Sequence, residues 1–235
     1  PNPAQLFVVP DHYVYRMLVS QGLTLNELGV QALDDSVFEK DPHKIWKKFS
    51  ENYYLFRGTP TAMWLDYSFE KVFGITEILT PANSDSYYNQ IEEKLSQPEY
   101  LPQALFHKFN IEVLSTTDSA ISDLSKHIDL KNSNWDGKVI PTYRPDSLVN
   151  PETIEFKNNL VKLGELTNED TSSWDGYLKA HRSRRLFFKE LGATASDHGH
   201  PSARTENLSH TDAEQLFKCI LAEDFNSEDA DKFRG

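Results

Sequence analysis

The sequence predicts an α/β fold in which a block of short helices precedes a parallel sheet. Three observations carry that reading. Residues 11 to 109 space their apolar side chains as helices do and show almost no strand signal. From residue 110 onward, short β-rich runs alternate with helical stretches, which implies parallel strands joined by right-handed crossovers. Each run ends in ionisable or hydroxyl side chains, and parallel sheets gather their chemistry at the carboxyl ends of their strands.

Pro10 and Asp11 open the first helix, with Asp11 as its N-cap. Tyr13, Met17 and Gln21 fall on one face, and Gly22 ends it. Asp41-Pro42 marks a second start, because proline suits the first helical position, and Ile45, Trp46 and Phe49 follow at helical spacing. A third helix is expected over 60–73, closed by Gly74, and a fourth over 84–95. IEVLSTTD (111–118) reads as the first strand, followed by a helical stretch over 119–128. KVIPTYRPD (138–146) reads as the second, with helices over 151–163 and 174–191 after it. GATASDHGHP (192–201) is a third strand-like run, and 210–234 reads as one or two acidic helices.

Aromatic residues make up 12% of the 235, enough to build a core and to set wholesale disorder aside. The formal charge of −12 repels phosphate backbones and anionic lipid, so nucleic-acid and membrane partners are not expected. Cys219 is the one cysteine, so no intrachain disulfide and no cysteine-based metal site is available; this suits a reducing cytoplasm. No apolar run approaches the roughly 20 residues that span a bilayer, and PNPAQLFVVPDHY lacks the basic start of a signal peptide. P-loop, GxGxxG, GxSxG and HExxH motifs do not occur.

Four places could carry chemistry. In DHYVYR (11–16), His12, Tyr13 and Arg16 could present a proton donor and a cation from a helix start, or Tyr13 could be a core aromatic. Arg144 in YRPD (143–146) sits at a strand end beside the rigid Pro145, placed to grip a carboxylate or to pair with Asp146. His198 and His200 lie two apart, so on a strand they point the same way and could share a metal, with Asp197 orienting an imidazole; a loop with an ordinary histidine hydrogen bond is the alternative. Thr116, Thr117 and Asp118 could bond a sugar hydroxyl, or Asp118 could cap the next helix. HRSRR (181–185) reads as a solvated face with salt bridges, and WDG at 135–137 and 174–176 as two turns.

PDHYVYR, FRGTPTAMWLDYSFEKVFGI, FNIEVLSTTD, KVIPTYRPD, LGELT and ATASDHGHP, in this order, resemble the uronate (glucuronate) isomerase family of the amidohydrolase superfamily. The resemblance runs from about Pro10 to the C-terminus. It implies a partial TIM-type (β/α) barrel (about strands 2–4) over 110–235, preceded by a helical insertion subdomain over 1–109. It implies an aldose–ketose isomerase that interconverts D-glucuronate and D-fructuronate, or D-galacturonate and D-tagaturonate, through an enediol. The family's active-site tyrosine falls on Tyr13, preceded by His12, and its substrate-binding arginine on Arg144; His198 matches a recurrent family position and is expected, with Arg16 from its own helix-start reading, as a further substrate contact. A divalent metal such as zinc is implied for the complete enzyme. The family's principal ligands, a first-strand HxH and a last-strand Asp, have no counterpart here, and His200 matches one bacterial branch alone. The chain alone is therefore expected to be an incomplete, inactive part of the enzyme, with a small-molecule hexuronate as partner and homo-oligomers as its assembly. A metal hydrolase of the same superfamily and a non-enzymatic helical binding module are the competing readings.

Overall fold

The computed structural model describes residues 1–31 and 36–235. The chain divides into two compact units, Pro1–Phe109 and Asn110–Gly235.

Unit one is built of helices α1 (Pro3–Phe7), α2 (His12–Val19), α3 (Pro42–Glu51), α4 (Pro60–Tyr67), α5 (Ser84–Leu95) and α6 (Pro102–Lys108). Side-chain caps fix four of the starts. Asn2, Asp11, Asp41 and Thr59 each accept from backbone N–H groups of the first turn that no carbonyl could reach. Proline stands at the start of α1, α3 and α4, where its missing N–H is harmless.

The helix expected over 60–73 is not one α-helix. It widens at Ser68–Val72 into a π turn, with Phe73 N–H bonded to the Ser68 carbonyl five residues back, and Gly74 at φ 64° stops it. Helices α1 and α6 were not expected from the sequence, being only 5 and 7 residues long.

The core is aromatic: Trp46, Phe49, Phe56, Phe69, Tyr87 and Tyr88 are all buried. Phe69 meets Tyr87 edge-on, ring centroids 5.2 Å apart, the arrangement that ring quadrupoles favour. The indole of Trp46 donates to the Ser84 carbonyl at 3.0 Å, satisfying its one polar atom at the start of α5.

Unit two holds a two-stranded parallel sheet, β1 (Leu114–Ser119) and β2 (Val139–Arg144), in register from Leu114↔Val139 to Ser119↔Arg144. Helix α7 (Ser125–Lys131) connects them. Helices α8 (Asp146–Val149), α9 (Phe156–Thr167), α10 (Trp174–Glu190), α11 (His210–Ala222) and α12 (Ser227–Arg234) follow.

The strand expected over 192–201 shrinks to a single parallel bridge, Tyr143↔Ser196, beside β2. The cause lies at both ends. Ala193 N–H is spent on the Phe188 carbonyl, finishing α10, so the chain joins the sheet only at Ala195. Beyond Asp197, β2 has already ended at Arg144, and Pro145 has no N–H with which to extend the ladder. The order β1–β2–bridge matches three successive parallel strands, with the third nearly dissolved.

Helix α9 begins at Phe156, not at 151, because turns and a bend occupy 151–155, and α7 begins at Ser125, not at 119, because β1 runs to Ser119 and a turn and a short irregular stretch follow it. WDG at 174–176 opens α10 instead of forming a turn. The core of this unit gathers Tyr143, Leu160, Leu163, Tyr177, Phe188 and Phe217 between β2 and the helices.

Candidate functional site

At the carboxyl end of β2 the chain reads Arg144-Pro145-Asp146, and Asp146 starts α8. The Arg144 guanidinium lies between two carboxylates. Its Nε is 3.2 Å from Asp146 Oδ2, and its Nη2 is 3.1 Å from Asp197 Oδ2. The bridge at Ser196 delivers Asp197 to this place, and Thr117 of β1 donates its hydroxyl to the same Asp197 oxygen at 3.3 Å. All three strand-like runs therefore send a polar side chain to one point.

Gly199 brings the following segment close. Its N–H donates to Asp146 Oδ2 at 2.8 Å. A Cβ there would stand 2.9 Å from that same oxygen, so only glycine lets the backbone lie against Asp146 without displacing it. On either side of Gly199, His198 Nδ1 and His200 Nε2 face each other at 3.1 Å. Both also approach Asp146 Oδ1, at 3.8 and 3.7 Å. That oxygen is buried and accepts no hydrogen bond. These three donor atoms all lie within 4.8 Å of one another and could gather on one cation. It is Asp146, and not Asp197 as the sequence suggested, that faces the imidazoles; Asp197 is committed to Arg144.

The other half of the expected constellation lies in the first unit. Asp11 caps α2 through Tyr13 and Val14 N–H, at 2.9 and 3.3 Å, and so fixes the turn that carries His12, Tyr13 and Arg16. The His12 and Tyr13 rings lie 4.2 Å apart and tilted by 32°. Tyr13 is 58% exposed, which corrects its reading as a core aromatic; Val14 and Leu18 fill that role. His12 and Arg16 are exposed as well. Arg144, His198 and His200 belong to the second unit.

Two buried histidines gave no sequence signal. His127 on α7 sits with Nε2 at 2.8 Å from Thr116 Oγ1, which donates to Asp118 Oδ2 at 2.6 Å. Since the hydroxyl proton points to the carboxylate, His127 must donate from Nε2. Asp118 thus serves an internal chain and does not cap α7, whose N-cap is Leu124. On α10, His181 Nδ1 meets the Tyr143 hydroxyl at 2.6 Å. Burial, with Arg185 adding to it, pushes His181 down to about 4, so its ring is neutral at pH 7. Burial likewise pushes the Tyr143 phenol up to about 12.

Arg184 is buried too, donating to the Ala120 and Ser122 carbonyls. HRSRR is therefore only in part a solvated face: His181 and Arg184 point inward, one turn apart, and Arg182 and Arg185 outward.

The family described as glucuronate isomerase matches residues 2–235. A uronate isomerase of Rhizobium meliloti is 52% identical over 234 residues, which is 100% of this chain and 50% of that protein. One of Mesorhizobium japonicum is 51% identical over 220 residues, 94% of this chain and 47% of its own length. The crystal structure of a glucuronate isomerase from Caulobacter crescentus superposes with a TM-score of 0.94 at 41% identity, covering 99% of this chain and 48% of that one. A uronate isomerase from Thermotoga maritima superposes at 0.85 with 25% identity, covering 97% and 49%. The chain spans about half the length of the relatives it matches.

Proposed function

The chain belongs to the glucuronate isomerase family, and from that premise we propose that it supplies part of the active site of a hexuronate aldose–ketose isomerase. The observation that carries this is Arg144, held at the end of β2 by Asp146 and Asp197 with three strand ends converging on it. The first unit then reads as a helical insertion, and the second as strands 2 to 4 of a (β/α) barrel, where catalytic side chains come from strand ends.

The reaction moves one hydrogen from C2 to C1 and one from O2 to O1. The C2–H of the open-chain aldose leaves as a proton while O1 takes one up, giving the enediol; a proton then returns at C1 as the C2 hydroxyl gives up its own and becomes the carbonyl. No oxidant or reductant is consumed. The chemistry asks for an acid–base group near C1 and C2, a grip on the remote carboxylate and a stabiliser of the developing oxyanion. In this reading Tyr13 moves the proton, with His12 against its ring. Arg144 grips the carboxylate in a fork that lysine cannot reproduce, Arg16 adds a second cation, and His198 bonds a sugar hydroxyl.

A divalent metal such as zinc would polarise the substrate oxygens when bound. The donor set in this chain that fits such an ion is the imidazole pair with the unpaired Asp146 Oδ1. The same reading takes a hexuronate as the small-molecule partner, the cytoplasm as the place of work and homo-oligomers as the assembly. The exposed outer edge of β1 supports self-association.

Proton NMR of D-glucuronate and D-galacturonate in D₂O with divalent metal tests this. It is run on the chain alone and on the chain extended to the length of its relatives. Expected are deuterium at C2 and a growing ketose signal from the extended protein, little or none from the 235 residues alone, and a loss of more than about tenfold in kcat/KM for Arg144→Lys. An extended, metal-loaded protein that exchanges neither uronate overturns the proposal.

A further inference from the structure

We propose that Asp146, His198 and His200 form a binding site for one divalent cation of the zinc class, with His198 Nδ1, His200 Nε2 and Asp146 Oδ1 as its ligand atoms. The site stands on geometry and holds whether or not the chain takes part in isomerisation.

The spacing is the first argument. Bonds of about 2.05 Å at tetrahedral angles put neighbouring donor atoms about 3.3 Å apart. The three separations here are 3.1, 3.7 and 3.8 Å. One ion fits among them after movements of a few tenths of an ångström. Hydrogen bonding alone does not account for the same arrangement. A single bond between the imidazoles uses two nitrogens but leaves Asp146 Oδ1, which both rings approach at distances too long for a hydrogen bond.

The carboxylate is the second argument. Its two oxygens divide their work. Oδ2 accepts the Gly199 N–H and faces Arg144 Nε as an ion pair, while Oδ1 is buried with no donor. A buried carboxylate oxygen without a donor is costly. A cation removes that cost, and the contacts of Oδ2 hold the ligand in orientation, as outer-shell partners do in metal sites. Gly199 is the third: a Cβ there would crowd Oδ2, so its absence leaves the Asp146 carboxylate in place between two histidines of one segment. The positive charge of Arg144 does not stand against the ion alone, because Asp197 faces the guanidinium from the other side.

Two nitrogens and one carboxylate leave at least one coordination position open, and the donor set suits zinc over the all-oxygen sites of magnesium or calcium. His198 and His200 also line an open depression of about 500 Å³, together with Ser202 and Arg204. A bound ion would also fasten the segment from Asp197 to His200, which the sheet holds by a single bridge.

Calorimetric titration of zinc chloride into the metal-stripped protein tests the site. One equivalent is expected, weakened more than about 100-fold by the double change His198→Ala and His200→Ala, a larger loss than removal of an outer-shell partner causes. Gly199→Ala is expected to cost about tenfold, by pushing Asp146 away. Nitrogen NMR of the unmodified protein reads the same question without a variant: zinc should bring Nδ1 of His198 and Nε2 of His200 to the shifts of metal-bound nitrogens and leave the ring protons on the opposite nitrogens. If the double variant fails to fold by circular dichroism, that spectrum decides. Undiminished affinity in a folded double variant, or no shift at those two nitrogens, overturns the proposal; either outcome would assign any bound zinc to other histidines on the surface.

Discussion

Arg184 shows how far one residue's role can depart from what its neighbours in sequence suggest. It sits in a run of cations, yet it is buried, with Nε 2.8 Å from the Ala120 carbonyl, Nη2 bonded to Ser122, and its guanidinium 4.4 Å from the Phe187 ring centroid. Those carbonyls immediately follow the end of β1, so the arginine ties α10 to the sheet. Arg184→Met keeps the stem but leaves two acceptors without a donor. Each charged hydrogen bond is worth about 1.5–3 kcal/mol, so a loss of about 3 kcal/mol in urea unfolding is expected, and a shift under 1 kcal/mol would show that water replaces the guanidinium. His181, one turn earlier, makes stability depend on pH. In the unfolded chain it protonates near 6.5, and in the folded protein only near 4, because its buried ring resists charge. Between those values the unfolded state holds the extra proton, so stability is fully present above about pH 6.5 and falls as pH drops towards 4. The span is worth about 3 kcal/mol at most. Denaturant midpoints measured from pH 7 to 4 should show the decline, and His181→Gln should flatten it. Neither residue was legible beforehand: HRSRR reads as a charged face until the partners one turn away are known. The place of Arg144 at a strand end, by contrast, was readable, because Pro145 announces it; its pairing with Asp197 was not, because that carboxylate lies on a separate segment much further along the chain.

At the scale of elements, helix starts were the most legible feature, since caps and prolines are local chemistry. Asp11, Asp41-Pro42 and Thr59-Pro60 each begin a helix where the sequence places one. Strand ends were less so. Whether 192–201 pairs along its length depends on where β2 stops and on the Phe188 carbonyl, and neither is local to the run. Gly176 tests whether local preference or packing rules within α10. By helix propensity alone, Gly176→Ala should stabilise by roughly 1 kcal/mol. But a Cβ there would stand 1.9 Å from the Asp170 carbonyl oxygen and 2.9 Å from the Ser173 hydroxyl that caps the helix. Backbone against a new methyl cannot give cheaply, and strain of this kind costs about 1–3 kcal/mol. Packing should win: the expected result is a lower urea midpoint for the alanine variant, with helicity by circular dichroism unchanged. A raised midpoint would mean that the 170–173 turn moves freely and that the helix start is set by Ser173 alone.

At the scale of the whole molecule, the two cores draw on separate stretches of chain, one from residues before 110 and one from residues after it. The family was legible because motifs at the strand ends keep their order, whereas the share of its relatives' length that the chain spans, about half, is written in no motif. The two-stranded sheet has a physical consequence at β1. Among the described residues its only strand partner is β2, so one row of backbone N–H and C=O groups has no ladder to join. The strand is also exposed along most of its length, and Val113 and Leu114 stand 43% and 45% open beside it. An unprotected edge of this kind is a template for another strand, and native edges are normally blunted by lysine, proline or a bulge, none of which interrupts Leu114–Ser119. The chain on its own should therefore associate. Sedimentation velocity across a concentration series from roughly 5 to 200 µM is expected to show a species larger than the monomer growing with concentration, and Leu114→Lys, which puts a charge on the edge without touching either core, should return it to monomer. If the 235 residues stay monomeric throughout, the edge is too twisted or too polar to pair, and the serines and threonines of LSTTDS, already bonded across the sheet to Thr142 and within the strand to Asp118, are the groups that would make it so.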